Sequence, residues 1–270
     1  MISDINLVLE FFINLYESKC SYSTINTARS ALSLILSPVD GFNVGCHPLV
    51  IRILKGIGRA RPPQPRYNSV WNADVVLKLI HDWDLNELLS IKQLTCKLAS
   101  LLMLCTGQRA QTIHAIRVSK IVFSSRVEIV IPDRLKTSRK GTVQPTLILP
   151  FNSDPQLCVA KALQEYIKRT SVYRKVDNLF LSLEKPHCAV SKQTVSRWLV
   201  WILKEAGVNV DIFKSHSYRH CSVSRAATRG IDTDTIYKCA GWSLASTTFA
   251  KFYNRPIDNS ENYGLAVLSL

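Results

Sequence analysis

The chain has 270 residues, with 34 Lys and Arg against 20 Asp and Glu, a formal charge of +14. Apolar residues make up 47%, which excludes a disordered or collagen-like chain, and no apolar run approaches the roughly 18–20 residues a membrane helix needs. The length fits one large or two modest domains, with a core that can be stable without disulfides.

The predicted elements begin with a helix over 4–18, where Ile5, Val8, Phe12 and Leu15 recur at helical spacing behind Ser3 and Asp4 as candidate caps. This opening stretch carries Asp4 and Glu10 and no basic leader, so it does not read as a secretion signal. A second helix over 23–36 follows Ser23 and Thr24, aligns Ile25, Ala28, Leu32 and Leu36, and is stopped by Pro38. A third fits 48–57, with Pro48 in its first turn. GIGRARPPQPR, residues 56–66, is rich in Gly, Pro and Arg and has no acid. It reads as a linker that Pro62, Pro63 and Pro65 keep extended.

Helices are predicted over 74–81 and 91–105, the second very apolar. Residues 122–132 alternate around a Ser-Ser turn as a strand pair, and 145–150 read as another strand. The polar, basic DRLKTSRKGTVQ between them suits a hairpin connection. The remainder reads as helices over about 155–170, 190–206, 216–229, 232–240 and 244–254. The expected fold class is mostly α with a small antiparallel β-sheet. Residues 1–60 form a small helical module, 61–66 a linker and 67–270 a larger domain, with no internal repeat.

Eight cysteines are dispersed along the chain, with no C-x-x-C pair and no zinc spacing to a histidine. Several sit in apolar helical stretches as small hydrophobes, which points to a reducing compartment, cytosol or nucleus. The positive charge is segregated: segments 52–66, 109–140 and 185–230 hold 21 of the 34 basic residues and 4 of the 20 acidic ones. Concentrated positive charge is the footprint of a polyanion partner; three solvated basic faces that never meet are the plainer alternative.

Four places carry candidate chemistry: CTGQRAQTI with Arg109, LKTSRKG with Lys136 and Lys140, HSYRH with His216 and Arg219, and AGWSLASTTFAKFYNRP with Trp242 and Tyr253. His216 and Arg219, three apart, share a helix face. In this order the four resemble the tyrosine recombinase (phage-integrase) family, whose pattern is Arg, a hairpin Lys, His-x-x-Arg, His or Trp, and a Tyr nucleophile. The resemblance covers 67–270, and residues 1–60 look like a shortened version of that family's core-binding domain. The TGQR turn, the Lys-Thr hairpin, Trp in place of His and the FAKFYNRP ending look most like eukaryotic DIRS-like or Crypton mobile-element recombinases. The interval from Trp242 to Tyr253 is two residues longer than in most members, and Thr112 stands where an acidic residue is usual.

The resemblance implies a site-specific recombinase that acts on double-stranded DNA through a 3′-phosphotyrosine, without metal or nucleotide cofactor. Tyr253 is then the nucleophile, Arg109 and Arg219 the forks that neutralise charge on the phosphate, and His216 the group that takes or shares the tyrosine proton. Lys136, with Lys140 as the runner-up, protonates the leaving 5′-oxygen. Trp242 donates its indole N–H to the phosphate and packs behind Tyr253. His220 reads as structural, and Tyr218 and Tyr263 as the tyrosines to test should Tyr253 not be the nucleophile. The apolar tail, 255–270, is expected to dock on a neighbouring protomer of a homotetramer or on its own domain. The protein is expected in the nucleus if eukaryotic and otherwise in the cytoplasm, with no membrane partner. A type IB topoisomerase, a domesticated DNA-binding protein without recombination activity, and an RNA-binding or structural helical protein stay open as alternatives.

Overall fold

A computed structural model describes residues 4–62, 67, 69–135, 138 and 144–243. The chain divides into two units, Met1–Arg66 and Tyr67–Leu270.

The first unit packs α1 (Ile5–Glu17), α2 (Tyr22–Ile35) and α3 (Pro48–Ala60) around Val8, Phe12, Ile25, Val44, Val50, Leu54 and Ile57. Asp4 caps α1 through its side chain. The cap of α2 is Ser21, two residues earlier than the sequence suggests, its Oγ accepting from the Thr24 N–H at 3.2 Å. The stretch read as an extended linker from 56 is helical to Ala60. A Cβ at Gly58 would lie 3.1 Å from the Tyr22 ring, so the missing side chain lets α2 and α3 approach. Arg61 then folds back, donating to the carbonyls of Cys20 (2.8 Å) and Tyr16 (3.2 Å), with its guanidinium 4.4 Å over the Tyr16 ring. On the face of α3 opposite Val50, Leu54 and Ile57, the residues Arg52, Lys55 and Arg59 are exposed.

The second unit is built around α5 (Ile91–Thr106). A capping box of Ser90 and Gln93 starts this helix, and it is buried on almost every side from Leu94 to Met103, as a helix apolar all round must be. Around it pack α7 (Val159–Thr170), α8 (Lys192–Glu205) and α9 (Ser217–Thr228), with α4 (Ala73–His81) against α8 and α9, α6 (Ala110–His114) following its end and α10 (Thr233–Ala240) beside α9. The sheet has order β1 (Ile121–Phe123), β2 (Val127–Val130), β3 (Thr146–Leu149), all antiparallel. Val127, Ile129, Leu147 and Leu149 face the core, while Val122, Val130 and Ile148 on the other face are exposed. This is the mostly helical fold with a small antiparallel sheet that the sequence predicts.

In this unit one boundary differs and one short helix is unpredicted. The helix expected from about 155 starts at Val159, because Asp154 Oδ1 accepts from the Gln156 N–H (2.9 Å) and the Leu157 N–H (3.4 Å) and so forms a turn instead. The short helix α6 has no periodicity to announce it. The helix predicted over 244–254 lies outside the described residues. Among the described residues no helix is long and apolar enough to cross a membrane. All eight cysteines are free, and burial pushes the Cys96 and Cys221 thiols up to about 12, consistent with small hydrophobes rather than reactive thiols.

Candidate active site

Helix α5 ends at Gly107, whose φ of +60° is left-handed. A Cβ at this position would lie 3.2 Å from Val223 on α9, so the turn needs glycine both for its backbone angle and for the close approach. The turn delivers Arg109 to the N-cap of α6. Arg109 is half-buried.

Helix α9 is held by its first turn. The Trp71 indole N–H donates to Ser217 Oγ (2.9 Å), and Ser217 Oγ donates to the Lys214 carbonyl (2.7 Å). Tyr218 Oη meets Ser100 Oγ at 2.8 Å on α5, and Ser222 Oγ donates to the Leu104 carbonyl at 2.6 Å. This turn carries His216 at the N-cap and Arg219 within the helix. The positive end of the helix dipole adds to the arginine's charge there, which suits an anion.

Arg219 is fully buried and is therefore not a surface ion pair. Its Nη1 donates to the carbonyl of Gly107 (2.7 Å) and to that of Ala240 (2.7 Å). Its guanidinium lies 4.1 Å from the centre of the Trp242 ring, a stacking contact worth about 0.5–2 kcal/mol. The Trp242 ring also meets Tyr237 edge-on at 6.0 Å. One side chain thus joins three segments far apart in sequence: the turn that carries Arg109, the start of α9, and the end of α10 that carries Trp242.

A second tie runs parallel to the first. Gln108 donates through Nε2 to the Cys239 carbonyl and accepts from Thr112 Oγ1 at 3.2 Å; both side chains are buried. Thr112, which stands where the resemblance leads one to expect an acid, completes this link between the Arg109 turn and α10. Gly241, again left-handed at φ +68°, ends α10 beside the Gln108 side chain.

Arg219 and Trp242 therefore stack beside the turn that leads to Arg109 and on the helix that His216 caps. Lys136, Lys140 and Tyr253 lie outside the described residues, as does Tyr263. Tyr218 is corrected as a reserve nucleophile. It is fully buried, bonded to Ser100 Oγ and to the Leu199 carbonyl (3.3 Å), and burial drives its phenol pKa upward. A phosphate in solvent could not reach it. Part of the basic excess also belongs to the fold: Arg117 pairs with Asp133, Arg126 with Glu128 and Arg225 with Asp74, at 2.7, 2.8 and 2.7 Å.

The phage integrase family profile matches residues 72–259. The chain belongs to the phage integrase family. Its fold is shared with other tyrosine recombinases of known structure at low sequence identity. The Tn1549 transposon integrase in complex with circular intermediate DNA aligns with TM-score 0.62 and 16% identity, over 97% of this chain and 85% of that one. The XerH site-specific recombinase bound to palindromic difH substrate gives 0.64 and 14%, over 98% and 72%. A lambda integrase dimer bound to a COC′ core site gives 0.52 and 18%, over 95% and 80%. No curated protein sequence matches the chain.

Within this tyrosine recombinase, sequence reasoning missed Gln108 and Trp71 as site-building residues. Gln108 lies beside the Arg109 motif, but its partner is a backbone carbonyl 131 residues away. Trp71 reaches α9 across 146 residues. Backbone acceptors leave no mark on the sequence; the two left-handed glycines, Gly107 and Gly241, are the visible trace of these turns.

Proposed function

We propose that the chain is a site-specific DNA recombinase that cleaves and rejoins double-stranded DNA through a 3′-phosphotyrosine on Tyr253. The observation that carries this reading is Arg219, which ties the Arg109 turn, His216 and Trp242 into one site. Tyr253 Oη attacks phosphorus and the P–O5′ bond breaks. The tyrosine proton passes to His216, and Lys136, or Lys140 in its place, returns a proton to the leaving 5′-oxygen. Arg109 and Arg219 offset the charge that grows on the non-bridging oxygens. One phosphodiester replaces another, so the reverse step rejoins the strand without an external energy source. The relatives bound to DNA support DNA as the substrate. The DIRS-like or Crypton likeness of the motifs supports mobile-element integration or excision in a nucleus. Strand exchange between two sites separates this reading from topoisomerase-like nicking and closing.

The first unit is proposed as a core-binding-like DNA module. Its support is the exposed row of Arg52, Lys55 and Arg59 on α3, three and four residues apart. Replacing all three with alanine should weaken binding to any duplex alike. The slope of log affinity against log salt should fall by about 3, since each phosphate contact contributes about 0.9. A fluorescence titration at several salt concentrations measures it, and an unchanged slope removes α3 from the interface.

Assembly is proposed as a homotetramer on two DNA sites, linked by exchange of the apolar tail. An apolar cavity of about 540 Å³, walled by Leu77, Leu101, Leu104, Val223, Ile236 and Ala240 among others, supports this as an acceptor on the second unit. Deleting residues 259–270 should keep single-site binding and abolish the two-duplex complex on native gels. A truncated protein that still forms that complex would confine the tail to its own domain.

A further inference from the structure

We propose that Cys105 and Cys239 form a redox-responsive thiol pair that a low-molecular-weight disulfide oxidises to a protein disulfide, closing the apolar cavity assigned above to the tail; the proposal rests on that assembly reading. Both thiols are free and exposed, and both line the cavity. Cys96, Cys158 and Cys221 are buried and take no part. Cys105 belongs to the last turn of α5 and Cys239 to the last turn of α10. These two turns approach closely. A Cβ at Gly107 would lie 3.8 Å from the Ala240 Cβ, and Arg219 Nη1 donates to the carbonyls of both residues. Gln108 Nε2 donates to the carbonyl of Cys239 itself. The thiols are near enough that charge on Cys239 helps to hold the Cys105 proton.

Desolvation by the apolar wall behind it pushes the Cys105 thiol up to about 11. Its thiolate is therefore scarce, and the first attack falls to Cys239. The Cys239 thiolate attacks one sulfur of the small disulfide, whose S–S bond breaks and releases one thiolate. Cys105 gives its proton to solvent and attacks the Cys239 sulfur, displacing the second thiolate. Two protein thiols lose two electrons and two protons, and one small disulfide becomes two thiols. The second attack is intramolecular, which offsets the scarcity of the Cys105 thiolate. The new bond ties α5 to α10 across the cavity wall, beside Leu104, Ile236 and Ala240, where an apolar tail would seat. In a reducing compartment the pair rests as thiols and the cavity stays open.

The full chain treated with oxidised glutathione, compared with a dithiothreitol-treated control on native gels with one-site and two-site DNA, tests this. Peptide mapping should find residues 105 and 239 joined. Single-site binding should be unchanged and the two-duplex complex weakened about 10²-fold, the scale lost when a linked contact is forbidden. Dithiothreitol should restore it. Cys239→Ser should assemble equally well in both conditions, and Cys188→Ser, which removes another exposed thiol, should respond as the wild type does. Cys105→Ser should stop at a glutathione adduct on Cys239; Cys105→Ala replaces it if serine lowers the thermal midpoint. Three results overturn the proposal: oxidised protein in which 105 and 239 stay unlinked, linked protein that assembles like the reduced form, or Cys239→Ser protein that still loses the two-duplex complex in oxidant. A reduced wild type that forms no two-duplex complex overturns the assembly reading and this proposal with it.

Discussion

Arg219→Ala should lose cleavage by about 10²–10³-fold or more, the usual cost of removing one preorganised charge-stabilising group, and should lose stability as well. The second loss distinguishes Arg219 from an ordinary phosphate contact. Its Nη1 satisfies two carbonyls, those of Gly107 and Ala240, in a place from which solvent is excluded. Truncation leaves both without that donor, at about 1–3 kcal/mol for each unsatisfied buried group. It also strips the cation from the face of Trp242. A loss of roughly 3–5 kcal/mol is a large share of a domain's stability. For a unit of this size it lowers the thermal midpoint by about 6–20 °C. Arg219→Lys keeps the charge but not the planar fork, so it should recover part of the midpoint and little of the rate. Differential scanning fluorimetry and single-turnover cleavage separate the two effects. An Arg219→Ala protein with a wild-type midpoint would contradict the tie between the three segments.

Tyr253→Phe removes one oxygen and almost no packing volume. The expected result is DNA binding at the wild-type level and no covalent adduct. An unperturbed phenol has a pKa of about 10, so under the proposed mechanism Tyr253 would need the cations and His216 to lose its proton. Tyr218, the nearest tyrosine in the His-x-x-Arg motif, is sealed between α5 and α8 and cannot substitute. An adduct that persists in Tyr253→Phe would move the nucleophile to Tyr263. Denaturing gels of protein trapped on a nicked duplex give the readout.

The elements with strong local signals are legible in the sequence. Val8 and Phe12 on α1, and the unbroken apolar run of α5, declare their helices because burial dictates the spacing. The alternation around Ser124 and Ser125 declares the first hairpin. Legibility fails where tertiary contacts decide. The end of α3 is set by Arg61 reaching Tyr16 and Cys20, and the start of α7 is delayed by the Asp154 turn. In the candidate site, Arg109, His216, Arg219 and Trp242 can be named from motif order. What the sequence cannot reveal is that Arg219 spends part of its hydrogen-bonding capacity on the backbone. Nor can it show that Gln108 and Thr112 hold the Arg109 turn against α10. Those partners are carbonyls and distant side chains, and neither has a periodicity. The charge count overstates the free positive surface for the same reason, since Arg117, Arg126 and Arg225 are engaged by nearby acids.

The central claim is that this site joins a tyrosine oxygen to a DNA 3′-phosphate. Mass spectrometry of the trapped protein–DNA adduct, after nuclease and protease digestion, tests it directly. The account predicts a single modified peptide, carrying a nucleotide 3′-phosphate on Tyr253, with a free 5′-hydroxyl on the released strand. A phosphonucleotide on any other residue, or a cleaved duplex whose 5′-end bears the phosphate, would contradict it.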